Sequence, residues 1–201
     1  MTRTDTGGPE TVPPTPSHTV GPFYGYALPF PGGGDIAPDG HPGTVTLHGR
    51  VLDGAGDPVP DALVELWGPG PDGTVPRVDG SMRRDPADGG FAGRNGIEFT
   101  GWGRVQVDRS GQWVARTLRP GARGGHAPYI SVCVFARGLM KHLFTRVHLP
   151  GDEAAWAADP LLSRLDGARR GTLIAVDEGN GTYRFDIRLQ GEGETVFLEF
   201  E

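Results

Sequence analysis

The sequence predicts an all-β fold, a Greek-key β-sandwich with an irregular N-terminal arm and one or two short helices. Three observations point there. Apolar and polar residues alternate over short runs, the period of a half-buried strand. The 34 glycines and 19 prolines among 201 residues fall mostly between those runs, where they punctuate turns, rather than in low-complexity tracts. About eight such runs follow one another, the spacing of a sandwich or barrel.

The elements follow in chain order. Residues 1–14 are polar and proline-rich and are expected to hang free or lie over a partner. Residues 15–26 mix aromatics with glycine and proline and have no helical or strand period. Aromatics in an irregular segment need something to pack on, either this chain's own sandwich or another subunit. Residues 31–43 read as a loop. Residues 44–53 alternate, with Val45, Leu47, Gly49 and Val51 on one face, and form a strand. A turn at 54–58 leads to a second strand over 60–67. Residues 68–96, rich in glycine, proline and aspartate, make a long excursion, and loops of that length are functional or vestigial. Strands are expected over 99–107 and 113–118, about a turn at 108–112, then over 129–135 and 143–149. Residues 152–166 are the one good helical candidate, broken at Pro160. Runs at 173–176, 183–189 and 195–200 are the last strands, the final two forming a hairpin across 191–193. The organisation expected is an arm and loop over 1–43, packed on a partner subunit if the aromatics at 15–26 do not lie on this chain's own sandwich, followed by one sandwich domain over 44–201.

Composition excludes several classes. The formal charge of −6, with no basic stripe, argues against nucleic-acid binding. No run approaches the ~20 apolar residues of a membrane-spanning helix, and the N-terminus lacks the apolar core of a secretory signal, so a cytoplasmic location is expected. A lone cysteine, Cys133, rules out an internal disulfide framework, and its apolar surroundings read as a buried structural thiol.

Five segments, in one order from residue 15 to the C-terminus, resemble the intradiol ring-cleaving dioxygenases. They are TPSHTVGPF at 15–23, the double strand at 45–67, FTGWGR at 99–104 with the turn and strand leading to Gly121, ISVCVFARGLMKHLFTR at 130–146, and the stretch from 152 to 161 followed by RGTLI at 170–174. Turn chemistry explains much of each segment alone; the five in sequence are specific. The fourth resembles the iron-free subunit of the two-subunit members of the family.

The catalytic chains of that family hold non-haem Fe(III) with two Tyr and two His, and anionic phenolates with imidazoles suit a ferric ion. The resemblance places the first Tyr ligand eight residues beyond Trp67, at Val75. It places the second about two residues past Gly121, at Arg123, where the alignment is loosest. The paired His ligands, one residue apart so that they share a strand face, fall on Tyr129 and Ser131. None of the four positions holds its ligand, so the chain is expected to bind no metal itself. An arginine at a vacated ferric site supplies a cation to fill the void. The six His, at 18, 41, 48, 126, 142 and 148, offer no metal-type spacing. His142 and His148 read as polar or partly packed side chains, and His126 as either a flanking residue or a support for the vacated site.

The resemblance further implies that a partner beta subunit supplies the ferric iron, and that this chain completes that subunit's active site. Its share would be Thr19, Gly21 and Pro22 from the arm, and Arg137. Gly-Pro gives a fixed backbone that lets a planar ring approach. Arg137 offers a fork suited to a carboxylate, which protocatechuate carries. The implied reaction is O2-dependent intradiol cleavage of protocatechuate to 3-carboxy-cis,cis-muconate in an αβ hetero-oligomer, with the isolated chain inactive. Two rivals remain: a self-sufficient catechol dioxygenase using other ligands, and a non-enzymatic β-sandwich binding module.

Overall fold

The computed structural model describes residues 24–78 and 83–200. Two sheets face each other across one core. The first is built on β1 (Thr44–Leu52), which pairs antiparallel with β6 (Gln112–Leu118) along one edge. Along its other edge it runs parallel to β10 (Thr182–Arg184) and then β11 (Ile187–Arg188), with β9 (Val176–Gly179) beyond β10. The second is a four-stranded antiparallel sheet in the order β5 (Trp102–Gln106), β2 (Leu63–Trp67), β7 (Ile130–Phe135), β8 (Leu143–Val147).

The alternation read from the sequence is the alternation that packs. Leu47, Gly49 and Val51 of β1 are buried, as are Trp113 and Ala115 of β6, and they meet Val64, Leu66, Ile130, Val132 and Val134 from the facing sheet. Gly49 has a steric reason to be glycine. A Cβ there would lie 1.8 Å from the Phe185 carbonyl oxygen, where the chain crosses from β10 to β11.

The structure differs from the sequence expectation at the ends. The 68–96 excursion carries a small hairpin, β3 (Arg83–Arg84) with β4 (Phe91–Gly93). The helical candidate is three short pieces: α2 (Glu153–Ala158), a 3-10 turn (Leu162–Arg164), and α3 (Gly167–Gly171), which lies beyond the predicted end. Pro160 and the capping carboxylates of Asp152, Asp159 and Asp166 divide them. The final hairpin is only begun: Thr195 N–H donates to Arg188, but the chain then crosses to the second sheet, where Leu198 N–H donates to Phe144. Residues 195–200 add no strand to the first sheet.

Residues 24–37 belong to this chain's own sandwich. A one-turn helix, α1 (Tyr24–Ala27), leads into Phe30, which stacks on Trp102 at 5.8 Å. Gly33 and Gly34 then accept backbone hydrogen bonds from Arg104 and Arg116, closing the gap between β5 and β6, and Ile36 enters the core. Cys133 is half-buried on the outer face of the second sheet rather than in the core, and burial, with Glu65 nearby, pushes its thiol up to about 12, so it is unreactive.

Candidate functional site

The four positions at which the resemblance expects iron ligands come together. Val75, Arg123, Tyr129 and Ser131 line one open cleft of about 250 Å³, with Trp67 at its edge. Local geometry explains the meeting. Ser131 stands opposite Trp67 in the β2–β7 pairing. The segment leaving β2 folds back through a turn in which Gly70 N–H donates to the Thr74 carbonyl, bringing Val75 round. Gly121 N–H donates to the Gly70 carbonyl, which fastens the loop after β6 to that turn. The approach is so close that a Cβ on Gly121 would lie 2.4 Å from Gly73 N and Pro71 O. Residues 123–126 reverse direction with Gly124 and Gly125 both at positive φ, and His126 N–H donates to the Arg123 carbonyl.

This donor set does not suit ferric iron. Val75 has no donor atom, Arg123 is a cation, Ser131 is a neutral alcohol, and Tyr129 alone is a potential phenolate. Among the described residues, no three His, Cys, Asp or Glu side chains stand close enough to hold an ion.

Beneath the cleft lies a polar layer that the sequence did not reveal. The Arg146 guanidinium sits over the Tyr129 ring, 4.1 Å from its centre, a cation–π contact. The Tyr129 ring also touches His126 edge-on at 5.9 Å and His148 at 5.8 Å. His126 faces the fully buried carboxylate of Asp159, Nδ1 to Oδ2 at 3.2 Å. Asp159 Oδ2 also accepts from Ala127 N–H, and Oδ1 accepts from the N–H groups of Leu161 and Leu162. Burial alone would raise the Asp159 carboxyl, but these hydrogen bonds outweigh it and hold the group below the usual carboxylate range. With Asp159 ionised, the Nδ1–H of His126 donates to it, and Arg146, 3.3 Å from the same nitrogen, is an electrostatic neighbour rather than a donor into it. The signal for Asp159 was local: an aspartate ahead of Pro-Leu-Leu is the pattern of a cap on the following turn. Its reach to Ala127 was not local.

His148 is fully buried, not partly packed as expected, whereas His142 is exposed between Phe135 and Phe144. His148 Nδ1–H donates to the Pro128 carbonyl at 2.9 Å, while Nε2 has no hydrogen-bond partner among the described residues. Burial, opposed by Asp159 and reinforced by Arg146 and His126, brings its pKa down from 6.5 to about 4. The fold therefore excludes the protonated form that the unfolded chain accepts below 6.5. The resulting stability is complete above that value and is lost as pH falls towards 4, a total of about 3 kcal/mol. Urea midpoints should fall steadily from pH 7 to pH 4.5. His148→Asn, which keeps a donor for Pro128 and does not titrate, should flatten that slope.

Arg137 occupies a different place. Ser131 is near the start of β7 and Arg137 lies past its end, about 20 Å away along the strand direction. Arg137 Nε pairs with Asp61 at 3.0 Å and most of its side chain is exposed, at 65%. The Asp61 carbonyl accepts the Tyr24 hydroxyl, and burial, with the Asp61 charge, pushes that phenol up to about 12. Arg137 thus stands close to Tyr24, the two joined through Asp61. Thr19, Gly21 and Pro22 lie outside the described residues.

Comparison with known proteins gives a consistent result. A family profile described as Dioxygenase matches residues 21–191. The chain is 38% identical to the protocatechuate 3,4-dioxygenase alpha chain of Burkholderia cepacia, over 94% of this chain and 98% of that one. It is 32% identical to the beta chain from the same organism, over 75% of this chain and 66% of that one. Its fold resembles the dioxygenase domain of a dioxygenase–carbohydrate-binding fusion from Streptomyces sp. SirexAA-E, with a TM-score of 0.54 and 22% identity over 89% of this chain and 99% of that domain.

Proposed function

Starting from the premise that this chain belongs to the intradiol ring-cleaving dioxygenase family, we propose that it is the non-iron-binding alpha subunit of a protocatechuate 3,4-dioxygenase. It completes the active site of a beta subunit that carries the non-haem Fe(III), and the assembly cleaves protocatechuate with O2 to 3-carboxy-cis,cis-muconate. The observation that carries this reading is the separation of two regions along β7. The chain's own cleft is lined by the four positions at which the resemblance expects iron ligands, and those side chains form a donor set unsuited to ferric iron. Arg137 sits at the far end, joined to Tyr24 through Asp61, too distant to act in that cleft. An exposed guanidinium there, linked through Asp61 to Tyr24, suits a pocket on another subunit. In such a pocket Arg137 would bind the substrate carboxylate bidentately, Gly21 and Pro22 would bound the ring, and Thr19 would offer a hydroxyl.

The arm, residues 1–23, is assigned to that partner, and residues 24–200 to this chain's own sandwich. No helix among the described residues is long and apolar enough to cross a membrane. We place the assembly in the cytoplasm, where aromatic acids are catabolised and a lone unpaired cysteine is at no disadvantage.

The chain expressed alone should contain no stoichiometric iron, lack the burgundy colour of a phenolate–Fe(III) centre, and turn over no protocatechuate. Co-expression with an iron-bearing beta chain should yield a complex with all three properties. Iron-dependent turnover of catechols by the chain alone would overturn the reading in favour of a self-sufficient dioxygenase.

A further inference from the structure

We propose that the cleft at Val75, Arg123, Tyr129 and Ser131 is a binding site in its own right, for a small planar aromatic carboxylate. The inference rests on the cleft's chemistry and not on the partner-dependent reading above.

Among the described residues, no side chain fills the cleft between these four positions. It remains an open space of about 250 Å³, just below the range of drug-sized ligand sites, which run from about 300 Å³ upward. That size admits one ring and excludes a nucleotide. Three polar side chains line it: the guanidinium of Arg123 and the hydroxyls of Tyr129 and Ser131. None of them makes a hydrogen bond or an ion pair with another side chain or backbone group among the described residues. Nearby arginines are engaged: Arg104 with Glu65, Arg146 with the Tyr129 ring, and Arg119 with Tyr183. Arg123 has no counter-charge among the described residues, and it sits on a turn fixed by the hydrogen bond between His126 N–H and its own carbonyl.

The sign of the ligand follows. Among the described residues, no carboxylate lines the cleft. The nearest acid below it, Asp159, is buried and committed to three backbone N–H groups and to His126. Arg146, behind the Tyr129 ring, adds a second positive charge. An anion is favoured, and a planar two-oxygen anion matches the fork of a guanidinium. The remaining walls ask for a ring. Trp67 is 56% exposed at the edge, with the Tyr129 ring and Val75 across the space, and aromatic faces this open favour stacking. A carboxylate on Arg123, with a hydroxyl substituent in reach of Ser131 or Tyr129, gives a partner to the polar side chains that line the cleft.

The test uses the assembly as it purifies, titrated with 4-fluorobenzoate and followed by fluorine NMR and calorimetry. Ligand in the partner's catalytic pocket perturbs the visible iron band; ligand in this cleft leaves it unchanged. One saturable site per copy of this chain is expected that is silent in the iron spectrum. Arg123→Gln, an exposed turn substitution, should weaken that site at least tenfold, whereas Arg109→Gln, on a different exposed turn, should leave it intact. The neutral 4-fluorobenzamide should bind at least tenfold more weakly, and inorganic phosphate should not compete. Absence of a spectrally silent site, equal binding by Arg123→Gln, or equal affinity for the amide would each overturn the proposal. If the chain purifies without an iron-bearing partner, the proposed function fails, yet the same titration on the full chain still reads this site.

Discussion

Arg137→Ala in the assembled enzyme is expected to lower kcat/KM for protocatechuate by about 10- to 100-fold. A charge-assisted hydrogen bond to a bound carboxylate contributes about 1.5–3 kcal/mol, and each 1.4 kcal/mol is about tenfold. Two measurements separate this role from a structural one. Catechol, which has no carboxylate, should be cleaved by the variant and the parent at rates within about twofold, because nothing on it meets the guanidinium. Thermal stability should be nearly unchanged, since Arg137 is mostly exposed and its Asp61 ion pair is a surface pair of the kind that contributes about 0–1 kcal/mol. Arg137→Lys should recover only part of the loss, because an ammonium keeps the charge but not the planar fork. Equal losses on both substrates would remove Arg137 from carboxylate recognition.

The second large effect concerns stability. Asp159→Ala is expected to cost about 4 kcal/mol at pH 7, read from urea denaturation. The substitution strands the N–H groups of Ala127, Leu161 and Leu162 and the Nδ1–H of His126 around a buried void, and each buried unsatisfied donor costs about 1–3 kcal/mol before water relieves part of it. Asp152→Ala is the control. Asp152 is an exposed cap on α2 with one hydrogen bond to Ala155, and losing such a cap costs about 1 kcal/mol. The difference between the two variants measures what Asp159 does beyond capping: it ties the helical segment to residue 127, at the entrance to the strand that presents Tyr129 and Ser131. A loss no larger than that of Asp152→Ala would make Asp159 only a cap.

Several features were legible in the sequence because they depend on neighbours in the chain. The inward faces of β1 and β6 follow from period-two alternation, which any half-buried strand must show. The breaks at Pro160 and at the glycine turns follow from fixed or permissive φ. Of the four positions around the cleft, Val75 and Arg123 were reached by counting from Trp67 and Gly121 along the resemblance, and Tyr129 and Ser131 by the one-residue spacing that puts two side chains on one strand face. Other features were illegible because they depend on residues far apart in sequence. His148 looked like an ordinary polar residue until the packing around it removed all water. Residues 195–200 have strand chemistry, yet Leu198 bonds to Phe144, fifty-four residues back, and no local pattern names that partner.

By itself, then, the sequence determined the class of fold, the positions of the central strands, and the absence of a Tyr or His pair where the resemblance expects ferric ligands at Val75, Tyr129 and Ser131, because side-chain chemistry and local spacing are written residue by residue. The tertiary structure alone decided that Arg123 joins those positions in one open cleft, that Asp159 and Arg146 support it from beneath, and that Arg137 stands at the opposite end of β7. Those facts are set by the pairing of β2 with β7 and by the close backbone approach at Gly121. Such long-range contacts arise from the packing of the whole chain, where no single segment encodes its partner.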